Sequence, residues 1–228
     1  MVYFGHYLKY VADTRMVQCD NDFQRLTGSL ADEDAAWLAL HNAHARPSGR
    51  LYTAPGPVPY LGALATAPVV LLLSHPEIDT ETSPHDYQFA REGWPLAALH
   101  PDAPMGLARR WGRRLAPLVR LFGAQHVAHS VAIVFLSPWP SVAFDIRLEF
   151  PSRRTLYGLV GRAADRDAAF VIGPDADGWF EHPAVADLPA SRRATTYADA
   201  SEELDAGAIG PEAWDLLRAR VEVHAWLP

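Results

Sequence analysis

"APVVLLLSHPEID" (Ala67–Asp79) decides the reading of this chain. Val69–Leu73 has no polar alternation, the pattern of a central strand covered on both faces, and such strands belong to parallel sheets in α/β proteins. Polar residues follow at once. Ser74, His75, Glu77 and Asp79 would stand at the carboxyl end of the strand, where open α/β sheets bind ligands. The same residues also read as a plain turn, with Pro76 stopping the strand and the two carboxylates solvated.

Working outward, the chain alternates helix and strand signals. "GSLADEDAAWLALHNAHA" offers Ser29 and Asp32 at capping-box spacing, then Trp37, Leu38 and Leu40 as a helical stripe. A Pro- and Gly-rich stretch leads from Arg46 into the first strong strand. "GLARRWGRRLAPLVRLFG" places Leu107, Trp111, Leu115, Leu118 and Leu121 on one helix that stops at Gly123. "HVAHSVAIVFL" reads as a second buried strand over Val127–Leu136, ending at "SPWPS", and "SVAFDIRLEF" as a half-exposed one. Ser152 caps a predicted helix through "SRRTLYGLVGRAADRD"; a strand follows over Ala168–Ile172, and Pro211 opens the last helix. This order predicts a three-layer α/β/α sandwich with a central, mainly parallel sheet. We expect a single domain over residues 1–228, with a helical lead-in over 1–50 and a core over 57–221.

Bulk composition narrows the function. The 228 residues carry a formal net charge of −7, which argues against coating nucleic acid by bulk electrostatics and leaves room for a local basic groove. Lys9 is the only lysine. Arginine comes in pairs: Arg109-Arg110, Arg113-Arg114, Arg153-Arg154 and Arg192-Arg193, which on a helix usually form a solvated face. Nothing reads as a membrane span, and Met1–Asp13 is too polar for a signal-peptide core, so the expected compartment is cytoplasmic. Cys19, the sole cysteine, has no second thiol for a disulfide or zinc site. His41/His44 and His126/His129 are the only close histidine pairs, and no third ligand falls at a metal-site spacing. No dinucleotide, phosphate-loop, nucleophile-elbow or zinc-protease motif occurs, so no cofactor or metal is expected.

"PVPYLGALATAPVVLLLSHPEID" resembles the opening of the uracil-DNA glycosylase superfamily, in which a Pro-aromatic-x-Gly stretch precedes an apolar strand and a short loop containing Asn-Pro-Gly, Asp-Pro-Tyr or Ala-Pro-Gly. The anchors are Pro59, Tyr60, Gly62, Ala67–Leu73 and Pro76. "VAIVFLSPWPS" and "PSRRTLYGLVGRAADRDAAFVIG" resemble the later strand and helix of that superfamily, and the likeness spans about Pro57–Val221. It implies a site that holds a water for attack at the sugar, stacks an extruded base and donates to the departing base anion. Carried over, His75, Glu77 and Asp79 stand around the water. Ser74, Pro76, Phe89, Ser137 and Trp139 meet the base, and Ser191, Arg192 and Arg193 of "LPASRRATTYAD" meet phosphate.

The chain departs from the pattern. His75 replaces Asn or Asp before Pro76, the second strand ends in Leu136-Ser137-Pro138 without Asn, and no late His-Pro-Ser occurs, His182-Pro183 being followed by Ala184. These substitutions favour a module that binds DNA or a nucleotide over uracil excision. An active base glycosylase with an altered substrate, in which His75 serves as a base near pH 6.5, and an unrelated doubly wound α/β protein remain the alternatives.

Overall fold

The computed structural model describes residues 3–174, 176–196 and 203–224, with side chains from residue 22 onward. Helix α1 (Tyr3–His44) leads into a short strand β1 (Tyr60–Leu61) and the central strand β2 (Val69–Leu73). Three helices, α2 (Met105–Arg114), α3 (Ala116–Phe122) and α4 (Ala124–Ser130), then precede β3 (Val131–Phe135). The chain continues through α5 (Arg153–Asp165), β4 (Ala169–Ile172), α6 (Pro183–Ala186), β5 (Arg193–Thr195), α7 (Ala206–Ile209) and α8 (Pro211–Glu222).

The strands form one sheet in the order β1-β3-β2-β4-β5, in which only β1 runs antiparallel. The unbroken apolar run of β2 is explained by its neighbours, because alternate residues enter two different cores. Val69 and Leu71 join Val131, Ile133, Phe135 and Val171 beneath α2, α3, α4 and α8. Val70 and Leu72 join Ala132, Val134, Phe170 and Ile172 beneath α5 and Leu30 of α1. Helices on both faces of a mainly parallel sheet make the three-layer α/β/α sandwich that the sequence predicts. Among the described residues no helix is long and apolar enough to cross a membrane.

Several elements differ from the sequence reading. The second strand begins at Val131 and not at Val127, because residues 124–130 form α4. Gly123, at φ 83°, turns the chain between α3 and α4, and Ser130 Oγ donates back to the His126 carbonyl at 2.8 Å. The helix expected over residues 107–121 is two helices that break at Leu115, with Pro117 in the first turn of α3; Leu121 faces solvent. "SVAFDIRLEF" is irregular, and its alternation reflects a turn in which Asp145 accepts from the Arg147 backbone and guanidinium. Ser29 lies inside α1 and caps nothing, and Leu40 on that helix is exposed.

Ser152 already has helical dihedrals, so its side chain is released from capping α5 and turns elsewhere. Its hydroxyl donates to Asp34 at 2.6 Å and its backbone N–H to the same carboxylate at 2.9 Å. Trp139 Nε1 donates to Asp34 as well, at 2.8 Å. Asp34, fully buried on α1, thereby clasps both ends of the segment between Trp139 and Ser152. Replacing it with Ala orphans three buried donors, each worth about 1–3 kcal/mol when unpaired. Asp34→Ala is therefore expected to lose about 3 kcal/mol or more of stability in urea unfolding, with Asp34→Asn intermediate because Asn keeps one acceptor oxygen.

Candidate functional site

The loops after β2 and β3 extend the sheet past its formal strands. Ser137 N–H donates to the Ser74 carbonyl at 2.8 Å, Ile78 N–H to Ser141 at 3.0 Å, and Ser141 N–H to Pro76 at 3.2 Å. Residues 74–79 and 137–141 thus meet at one carboxyl edge, as the switch-point argument requires. A cavity of about 810 Å³ opens there, within the range of small-molecule sites. Leu73, Ser74, His75 and Glu77 line it from the end of β2 and its loop, Phe135 and residues 143–146 from β3 and its loop, and Pro174 and Asp177 from the loop after β4.

Helix α2 supplies the remaining wall. Positions 107, 110, 111 and 114 form one stripe of a 3.6-residue helix. Leu107 and Trp111 bury in the core, while Arg110, Trp111 and Arg114 line the cavity. Gly106 seats the helix: a Cβ there would lie 2.2 Å from the Glu81 carbonyl oxygen, so only glycine allows this approach to the loop.

Charge in the cavity is organised by Arg110. Its guanidinium pairs with Glu77 and, at 2.6 Å, with Asp79. Asp79 also accepts the backbone N–H groups of Glu81 and Thr82, at 2.8 and 2.7 Å; these bonds, aided by Arg110, hold its carboxyl below the usual range. Arg109 pairs with Glu81. Tyr87 donates to the Glu77 carbonyl at 2.7 Å, and burial pushes its phenol well above the usual range.

His75 is not the base poised near 6.5 that the sequence suggests. Burial, with help from the Arg110 charge, lowers its imidazole to about 4, outweighing the opposing pull of Glu77 and the Ser141 backbone. The ring is therefore neutral at neutral pH. Its Nδ1 lies 3.0 Å from Ser74 Oγ, and its centroid sits 5.4 Å from that of Phe144. Three nitrogens on cavity-lining residues are buried without a hydrogen-bond partner: His75 Nε2, Arg110 Nε and Trp111 Nε1. Each such orphan is costly, and orphans gathered around one cavity are where a bound group would repay most.

Other expected site residues lie elsewhere. Trp139 is 2% exposed, packed with Leu38 and Leu51 and bonded to Asp34, so it has no face to offer a base. Ser137 is fully buried, its Oγ accepting from the Trp139 N–H at 3.3 Å, and Pro76 is buried. Phe89 sits against His100, with ring centroids 6.5 Å apart, and does not line the cavity. The Arg192-Arg193 pair holds the fold together. Arg192 donates to the Ala164 and Ala168 carbonyls and pairs with Asp167. Arg193 donates to Val185 and Ala186 and lies over the Phe180 ring. Only Ser191 of that trio is exposed, and "LPASRRATTYAD" runs from residue 197 outside the described residues.

Arg110, Trp111, Arg114, Phe144 and Asp177 are among the cavity residues that the sequence does not single out for the site. For the arginines a signal existed: both occupy stripe positions that a buried helix face normally gives to apolar residues. Among the described residues no group of three or more His, Cys, Asp or Glu side chains could hold a metal ion. Compared with family models, curated proteins and solved structures, the chain matches none.

The His75 environment predicts a specific acid sensitivity. Its pKa is lower folded than unfolded, so between about pH 6.5 and 4 the unfolded chain binds more protons and stability falls as the pH falls. From pH 7.5 to 4.5 this group alone contributes a loss of roughly 2 kcal/mol. Urea unfolding of wild type and His75→Gln at both pH values checks it: the variant should lose less stability by about that amount. Equal losses would show that His75 titrates normally.

Proposed function

We propose that the chain binds a nucleotide, either free or as an extruded unit of a nucleic acid, in the cavity at the carboxyl edge of β2, β3 and β4. One observation carries the reading: a single cavity joins two arginines on one helix stripe, the half-buried ring of Phe144, and nitrogens with no internal partner. Guanidinium groups suit phosphate, and apolar ring surface suits a base. The likeness of "PVPYLGALATAPVVLLLSHPEID" to the uracil-DNA glycosylase superfamily supports the same ligand class, with the chain as a divergent member whose excision motifs are substituted.

Binding is favoured over base excision because the groups expected to activate water are otherwise engaged. His75 is a weak base with its pKa near 4, and Glu77 and Asp79 are both held by Arg110. A free, well-placed base is what the excision reading needs from these three residues.

The test is fluorescence anisotropy with labelled single- and double-stranded oligonucleotides, competed by nucleoside monophosphates at low and moderate salt. Wild type should bind, and Arg110→Ala/Arg114→Ala should bind at least about tenfold more weakly, with a flatter salt dependence because phosphate contacts are lost. Arg114→Ala alone, which leaves the Arg110 pairs with Glu77 and Asp79 in place, should give a partial loss, and thermal melts confirm that each variant is folded. Wild type that binds neither oligonucleotide nor mononucleotide would refute the proposal.

A further inference from the structure

We infer that Asp177 makes the cavity selective for a base presenting two adjacent N–H donors, the 2-amino-6-oxopurine edge of guanine; this rests on the nucleotide reading above. Three carboxylates border the cavity. Glu77 is taken by Arg110, and Asp145 by Arg147 through bonds of 2.9 and 2.8 Å. Asp177 is exposed and has no hydrogen-bond or ion-pair partner among the described residues.

Its backbone is held firmly. Gly178 is packed so closely that a Cβ would lie 2.7 Å from Leu136 Cδ2, and its carbonyl accepts from the Tyr157 hydroxyl at 3.0 Å. Trp179, fully buried, donates from Nε1 to the Leu73 carbonyl at the end of β2, also at 3.0 Å. An unpaired acceptor on a fixed turn is delivered to the cavity by its backbone, leaving only its own side chain to order when a ligand arrives.

The chemistry of the acceptor then selects the base. An ionised carboxylate accepts only, and its two oxygens match a pair of parallel donors. Guanine offers such a pair, N1–H and the 2-amino group. Uracil sets its single N–H between two carbonyls, which a carboxylate repels, and adenine or cytosine sets an amino group beside an acceptor nitrogen. Arg114 of α2, beside the Arg110 that Glu77 and Asp79 hold, supplies the phosphate contact common to all nucleotides, so discrimination falls to the loop after β4.

Isothermal titration of wild type and Asp177→Asn with GMP, IMP, AMP and UMP at one ionic strength tests this. Wild type should prefer GMP to AMP and UMP by at least about tenfold, the scale of a lost charge-assisted hydrogen bond, with IMP between because it lacks the 2-amino donor. Asp177→Asn should lose most of that preference through weaker GMP binding, because a carboxamide presents one donor and one acceptor in place of two acceptors and no longer matches the paired donors of guanine. Nucleotides bound without preference, or a preference that survives in Asp177→Asn, would overturn the role of Asp177 and leave the nucleotide reading standing. Wild type that binds none of the four would overturn both.

Discussion

A single buried carboxylate governs how the site is assembled. Asp34 receives Trp139 Nε1, the Ser152 hydroxyl and the Ser152 N–H, so one side chain on α1 fixes the departure and the return of the segment that follows β3. Burying a charge costs several kcal/mol unless it is fully hydrogen-bonded, and three short bonds meet that demand here. The arrangement couples layers that are distant in sequence. The helix before the sheet, the loop beyond β3 and the first turn of α5 are brought to one point, and the wall containing Phe144 hangs between two of them.

Electrostatics in the cavity follow from an unusual placement of arginine. Arg110 and Arg114 occupy the inward stripe of α2, where aliphatic residues would ordinarily extend the core beneath the sheet. Their stems and the indole of Trp111 close the apolar layer while the guanidinium groups remain at its border. Glu77 and Asp79 neutralise Arg110 in the meantime, so the loop after β2 is held to α2 by ion pairs at the same edge where Gly106 brings the two backbones into contact. The neutrality of His75 belongs to the same design, since burial and the nearby guanidinium both disfavour a second positive charge.

Much of the fold was legible because β2 and β4 are short apolar runs bounded by Pro and Gly, and because each is buried on both faces. The start of β3 was not, since Val127 and Ala128 are as buried on α4 as they would be on a strand, and nothing in "HVAHS" distinguishes a helical inner face from a strand. Phe144 and Ile146 alternate for a different reason: both line the cavity from an irregular loop, so period two appears without a ladder. The site was half legible. "SHPE" at a strand end points to the edge where the cavity opens, whereas Trp139 and Arg192-Arg193, which invite a reading for their chemistry, are consumed by the fold. Their partners, a carboxylate 105 residues away and the carbonyls of Val185 and Ala164, are nonlocal or backbone groups that leave no mark on the sequence.

The clasp also makes the segment between Trp139 and Ser152 a separable module. Its two ends meet at one anchor, and between Ser141, which bridges Glu77, and Phe150, which packs in the core, the chain contributes no strand to the sheet, so changes of length there are absorbed at the surface. Loop-closure entropy rises only slowly, by about 0.6 kcal/mol for each doubling of length. A segment of this kind can be exchanged, lengthened or randomised while the scaffold stays intact, which makes it the natural place for natural divergence or directed evolution to retune what the cavity accepts.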